Sequence, residues 1–534
     1  MQRTFLRAAT AAAAIALLNS CASLVPFTPD MGAKAPRLEG YGQLSAPITT
    51  SSPEAQALFN EGVLQAYAFN ETAAVRAFKA ALAKDRGCAM CAWGVAWQLG
   101  PGINSHSRDG AAEALKYVDY ALRRLDRATP REKALVESLA LRYAHATAAR
   151  ETAPLMAAWC GKTEKDDNAV HPLDDAYAAA MRKLADAYPA DPEILTLYAE
   201  AELIATPGDA LWDKDGRPAG RAGEVADRLE KLLASHPRHT GLNHYLIHTV
   251  DAASVAKRAV AAADRLGQLA PASPHLVHMP AHIYINVGRF EEATRVNQAA
   301  LAGDEALVKL EKAQGFEPSK DWRGHNSHFL WYAAIVSGNE KVALDAAAGV
   351  AEIGKDWDNN FGEYLRSTRL FTLLRFERWD QALAEPQPKG ERGVTKAHWL
   401  FARGVAQARL GRVDEAVKLL DELKPVAEGV RTRNAKRKAT VAMMEYDVAR
   451  LESEIALARG DLDAAIAAQA KVAEFDAVLE QSEPPFLGSL GRTTLGDLQA
   501  RAKRIREAEA SYRQVLAERP GHPLAEKGLK ALRQ

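Results

Sequence analysis

The sequence predicts an all-α fold, a right-handed superhelical solenoid of stacked antiparallel helix pairs. Two observations carry that expectation. Alanine and leucine are abundant, aromatics make up only 7% of the chain, and alternating β-branched runs are nearly absent, a composition that favours helix over sheet. Histidine also recurs at a fixed interval: His244 and His278 lie 34 residues apart, and so do His248 and His282. That is the period of a two-helix repeat that buries its apolar face only by stacking on a neighbour.

The 534 residues hold 68 basic and 68 acidic side chains and no net charge, so no basic stripe argues for a nucleic-acid partner. Residues 1–21 have the pattern of an export signal. Arg3 and Arg7 form the positive end, and Ala8 to Leu18 form an apolar run too short to span a bilayer. Leu18-Asn19-Ser20-Cys21 resembles the lipobox of bacterial lipoproteins. That resemblance implies acylation of Cys21 and anchoring in the cell envelope. Ala22 does not resemble an inner-membrane retention signal, which points to the outer membrane. Ordinary cleavage after Ala22, with Ser20 and Ala22 as the small residues, is the alternative. Residues 22–52, rich in Pro, Gly, Ser and Thr, are expected to be a tether, and residues 53–534 the solenoid.

Along the solenoid, small residues recur where helices must cross closely, with an aromatic plug between them. Gly62, Ala74, Phe78 and Ala81 fit that pattern. Asp191-Pro192 opens another helix pair. Thr240 starts a complete repeat with Ala259, Ala263 and Pro271, and Pro274 starts the next with Ala281, Tyr284, Gly288, Phe290 and Ala293. Further registers begin near Gly324, Glu363 and Ala397, and the last carries Gly496, Ala508, Tyr512 and Pro520. These positions resemble the consensus of the tetratricopeptide repeat, and roughly ten such repeats are expected. Insertions are expected as loops at Trp159 to Asp175, Pro207 to Gly223 and Asp304 to Arg323. The strings Asn243 to His248, Pro274 to Ile283 and Glu483-Pro484-Pro485 resemble those of a broad group of exported bacterial tetratricopeptide proteins. The resemblance implies the fold and no particular reaction.

Seven of the chain's 14 histidines fall between Thr240 and Ser337. In the tetratricopeptide family, helix-A positions 2, 5, 9, 12 and 13 resemble those that line the concave groove. His244, His248 and Asp251 occupy positions 5, 9 and 12 of one repeat. His275, His278 and His282 occupy 2, 5 and 9 of the next, and His325 and His328 occupy 2 and 5 of a third. Residues one turn apart share a helix face, and packed helices lie about 8–10 Å apart. Two imidazoles from each of two neighbouring helices are therefore expected to meet on one ion. Imidazole suits copper, zinc or iron, with Asp251 as a ligand or as a partner that orients a histidine. The bland alternative is a polar groove for a peptide. Pro280 inside the cluster should bend its helix, and Ser273-Pro274 should start it.

Cys88 and Cys91 are a second candidate: a thiolate pair for cuprous copper, or, more simply, a disulfide or two small buried residues. Ala92 after Cys91 rules out covalent haem attachment, and Cys160 alone cannot complete a zinc ribbon. Ser254-Val255-Ala256-Lys257 lacks the companion motifs of penicillin-binding enzymes and is set aside. Trp93, Trp97, Trp331 and Trp399 are expected in the core. Two function classes stay open. One is an exported, lipid-anchored protein that binds a protein or peptide partner in its groove beside a histidine-held metal. The other is a metal-dependent enzyme, oxidative or hydrolytic, using the same histidines: two metals each held by three histidines would resemble a coupled copper site and allow oxidative chemistry, whereas a single ion with an open position would activate water.

Overall fold

A computed structural model describes residues 27–143, 170–206, 211–319, 322–480, 482–486 and 490–533. Cys21 and its lipobox, Cys160, and parts of all three expected insertions lie outside these residues. Among the described residues the secondary structure is helical, with no strand and two isolated bridges, Gly102 with Ser105 and Trp212 with Pro218. Successive helices pack as antiparallel pairs in chain order, which gives the expected solenoid of tetratricopeptide type. No described helix is long and apolar enough to cross a membrane.

The repeat consensus has a visible steric cause. Gly62 and Gly94 both face the Phe78 ring, and a Cβ on either would stand 2.6 Å or less from it. Gly496 meets Tyr512 in the same way near the C-terminus. Helix starts are capped as the sequence suggests: Ser273 accepts from the Leu276 amide ahead of Pro274, and Asp191 caps the helix Pro192–Ala205. Trp93, Trp97 and Trp331 are buried, whereas Trp399 is half-buried and donates to the Glu385 carbonyl.

Two expectations give way. Residues 27–52 were expected to hang free, but they run extended along the repeats. Leu38, Tyr41 and Ala46 are buried, Gly40 and Gly42 lie against Ala272 and Thr240, and the Arg37 backbone pairs with the Gln314 amide. Their turn-rich composition hid three apolar side chains that need a surface. The insertion at Asp304 to Arg323 was expected as a loop, yet its first half prolongs one helix, Phe290–Ala313. Asp304-Glu305-Ala306-Leu307 onward is made of good helix formers. Asp304 then accepts from the Asn326 amide, and Glu311 accepts from the Ser319 amide, so two buried carboxylates clamp the remaining loop.

The middle repeats are enclosed by both ends of the chain. The N-terminal helix Pro53–Tyr67 packs on Thr240–Thr249. At the other end, the turn at Gly288 touches the turn at Pro520-Gly521, and Arg519 donates to the Asn286 side chain. The face expected to be an open groove is therefore interior where the histidines lie.

Candidate metal centre

The histidines come from the first helices of three successive repeats. Thr240–Thr249 supplies His244 and His248. The next helix runs as Pro274–His278 and Pro280–Asn286 and supplies His275, His278 and His282. Pro280 interrupts the hydrogen-bond ladder there and splits the helix in two, although Met279 between the parts keeps helical dihedrals. Arg323–Ser337 supplies His325 and His328.

Of the two arrangements the sequence left open, the structure assembles two triads rather than one four-histidine cluster. His244, His248 and His275 form the first, and His278, His282 and His325 the second; within each, one donor nitrogen per ring lies within 4.8 Å of the others. Each triad takes positions 5 and 9 from one repeat and position 2 from the next. The arrangement has a geometric reason: position 2 of a helix lies level with the previous repeat's i, i+4 pair, whereas its own positions 5 and 9 are a turn further on. His328 joins neither triad. It stacks on Trp331 and its Nε2 lies 3.3 Å from the Tyr364 hydroxyl, so it belongs to the contact with the following repeat.

Tautomers follow from the partners. The Tyr67 carbonyl only accepts, so His244 Nδ1, 2.7 Å away, carries the proton. The Asn297 amide nitrogen donates to the Ala293 carbonyl, which turns its oxygen to His278 Nδ1 at 2.6 Å. His282 Nδ1 donates to Asp251 Oδ2 at 2.6 Å, and Asn286 holds the other Asp251 oxygen. Asp251 thus orients His282, and with His282 and Glu483 it also forms a third group whose ligand atoms lie within 4.8 Å of one another. With Nδ1 protonated and both rings neutral, as metal ligands must be, the Nε2 atoms of His278 and His282 present lone pairs to each other at 3.0 Å. In the first triad His244 Nε2 lies 3.0 Å from His248 Nε2 and 3.1 Å from His275 Nε2. Three nitrogens about 2.0–2.1 Å from one ion stand about 3.3–3.5 Å apart, so an ion fits after small outward shifts.

Burial disfavours a proton on three of the six rings. Burial pushes His244 down to about 3 and holds His275 and His278 well below the ordinary histidine range. Only His248 among the six is half-buried. Apolar rings close the rest. Phe69 stacks on His248 and His275, Trp322 covers the other face of His275 at 4.2 Å, and Phe329 lies against His282 at 4.3 Å. Phe69 sits at φ +52, a strained conformation for a residue with a side chain, held where it roofs the first triad. The rings of the two triads approach to 6.2 Å (His275 to His278) and 6.3 Å (His248 to His282). Glu483 stands 4.0 Å from His282 Nδ1 on the half-buried side.

Sequence reasoning missed Tyr67, Phe69, Asn297 and Trp322, which carry no periodic signal. Glu483 was visible only as part of a marker string. Glu200 is in neither triad; its buried carboxylate, its pKa raised by burial, accepts from the Trp97 indole at 2.7 Å. Cys88 and Cys91 are joined in a buried disulfide, which leaves no thiolate pair for copper.

No family model matches the chain, and no curated protein matches it. Solved structures that it resembles are helical repeat proteins at low overall superposition. The "APC/C hetero-tetramer Cut9-Hcn1" is 12% identical with a TM-score of 0.30, over 90% of this chain and 76% of that one. The human IFIT1 dimer with m7Gppp-AAAA is 13% identical with a TM-score of 0.31, over 91% and 90%. Yeast Tom70 is 11% identical with a TM-score of 0.30, over 90% of this chain and 95% of that one.

Proposed function

We propose that this solenoid is a metalloprotein that holds two transition-metal ions, one in each three-histidine site. The observation that carries the reading is the pair of Nε2 lone pairs of His278 and His282, fixed face to face at 3.0 Å by Asn297 and Asp251. Without a cation that arrangement is repulsive; with one it is a preformed chelate. Three protein ligands leave each ion a further position for a small molecule, so the enzyme reading is favoured over a peptide groove at the histidines. Helix-pair solenoids commonly serve protein–protein contact, and a protein partner would use surfaces away from the buried triads. The chain is further proposed to be exported and lipid-anchored through Cys21, with the Cys88–Cys91 disulfide in keeping with an oxidising compartment. Cys21→Ser should then release it from the membrane fraction, and unchanged fractionation would refute the anchor.

The test of the metal sites is metal content of protein purified without a histidine tag. The parent should hold two ions per chain. His248→Ala and His282→Ala each remove a ligand from a different triad, so each should hold one ion firmly and the double variant none. A folded double variant that keeps the parent's metal content would sink the reading.

A further inference from the structure

Resting on that reading, we infer that the two sites act as one centre: a pair of cuprous ions that binds dioxygen between them. Proximity is the first reason. The facing rings of the two triads come as close, at 6.2 and 6.3 Å, as the most distant rings inside the first triad, His248 and His275, at 6.2 Å. Two ions held by such rings are near enough for one diatomic molecule to span both.

Charge is the second reason. All six triad ligands are imidazoles, which bind a metal in their neutral form, and the nearby carboxylates Asp251 and Glu483 gather at His282 Nδ1. The surroundings are the rings of Phe69, Trp322 and Phe329. Two divalent ions would place four positive charges in this low-dielectric setting, where unbalanced charge is costly. Two cuprous ions place two. The balancing carboxylates are Asp251 and Glu483, at 2.6 and 4.0 Å from His282 Nδ1. Arg519, which also faces Asp251, is paired with Glu480 at 3.4 Å and does not disturb that balance. Neutral nitrogen donors in threes also suit low-coordinate copper.

The chemistry closes without a further reactant. Each Cu(I) gives one electron to dioxygen; two Cu–O bonds form, the O–O π bond is lost, and the product is peroxide bridging two Cu(II). No proton moves. The net charge of the centre stays at two positive throughout, so the same two carboxylates balance both forms. Dioxygen would enter at the half-buried edge formed by His248, Asp251 and Glu483. Phe69 and Phe329 keep bulk water from the other sides.

The experiment loads the full chain with Cu(I) under anaerobic conditions, measures copper per chain, then admits dioxygen. Two coppers per chain test the metal-site reading by themselves. The further inference expects one dioxygen taken up per two coppers, an intense new near-ultraviolet band, and no cupric electron-paramagnetic signal, because two adjacent Cu(II) spins cancel. His248→Ala and His282→Ala should each keep one copper and lose the band entirely. Two bound coppers that oxidise to two independent paramagnetic ions, or that do not react, would overturn the inference and leave the metal sites standing. So would a parent that takes two zinc ions and rejects copper. Failure to bind any metal would instead refute the sites themselves.

Discussion

Gly288→Ala tests whether the closure of the chain ends on the middle repeats is a real energetic contact. Gly288 has φ +82, and an added Cβ would lie 2.3 Å from the Pro520 carbonyl oxygen and 2.6 Å from Gly521 Cα. Ordinary contact needs about 3.4 Å or more, so one backbone must move by roughly 1 Å, an overpacking cost of about 1–3 kcal/mol. The left-handed conformation adds about 1–2 kcal/mol for any L-residue. Gly338 supplies the control, since it has the same φ of +82 with nothing within 4 Å. Gly338→Ala should therefore cost about 1–2 kcal/mol and Gly288→Ala about 2–5. The difference is the closure contact. It should appear in urea unfolding followed by circular dichroism, and more sharply in hydrogen exchange. Protection in Ile505–Glu518 and Pro523–Ala531 should fall about 5–150-fold in the Gly288 variant and hardly at all in the control. The second triad should also bind its ion less tightly, because Arg519 holds Asn286, Asn286 holds Asp251, and Asp251 holds His282. Equal destabilisation by the two substitutions, with unchanged exchange at the C-terminus, would refute the closure.

Three other outcomes follow from single contacts. Asn297→Ala removes the acceptor that fixes His278, so the second site should weaken about 10–100-fold while the first keeps its affinity, as read by competition with a chelator; equal weakening of both would refute the assigned tautomer. The Asp174 carboxyl is buried, which raises its pKa, but Arg142 at 3.1 Å and Arg108 at 2.7 Å outweigh burial and hold it below the usual range. A depressed folded pKa contributes stability that is present above the unfolded value near 3.9 and is lost as pH falls through the folded value. Asp174→Asn should thus cost about 3–5 kcal/mol at neutral pH, and the gap should narrow below about pH 4; a gap independent of pH would refute the pairing. Cys88 and Cys91 are three positions apart, so reducing their bridge should cost only about 2 kcal/mol and leave metal content unchanged, measured by denaturation and metal analysis with and without reductant.

The fold was legible because its determinants are local and periodic. Gly62 with Phe78, and Gly496 with Tyr512, announce close crossings by residue size alone. Ser273-Pro274 announces a helix start. The packing of residues 27–52 was not legible, since Leu38, Tyr41 and Ala46 are too sparse to form a pattern and their partners lie in distant repeats. The extension of Phe290–Ala313 was masked by Gly303, Asp304 and the Gly315 turn, which bracket good helix formers.

The site was half legible for a reason that lies in the same insertion. His244 to His275 spans 31 residues, and His278 to His325 spans 47. Without the longer helix and its loop, all three positions of the triad would have repeated on one period, and two threes would have been as plain as two pairs. The insertion moved the sixth histidine out of register in sequence but not in space. Asp304 and Glu311 explain how: both are buried, and together they hold the loop so that Trp322 and the first turn of Arg323–Ser337 return to the place a simple repeat would have given them. That anchoring ties the metal reading to a separate observation. Substituting Asp304 with Ala should leave the three ligands of the first triad in place and loosen the second, because His325 is the one ligand whose helix start the clamp holds. The ring that covers His275, Trp322, would shift as well, so a change in indole fluorescence should accompany the loss of the second ion; loss of both ions together, with the indole unmoved, would show that the clamp does not position His325.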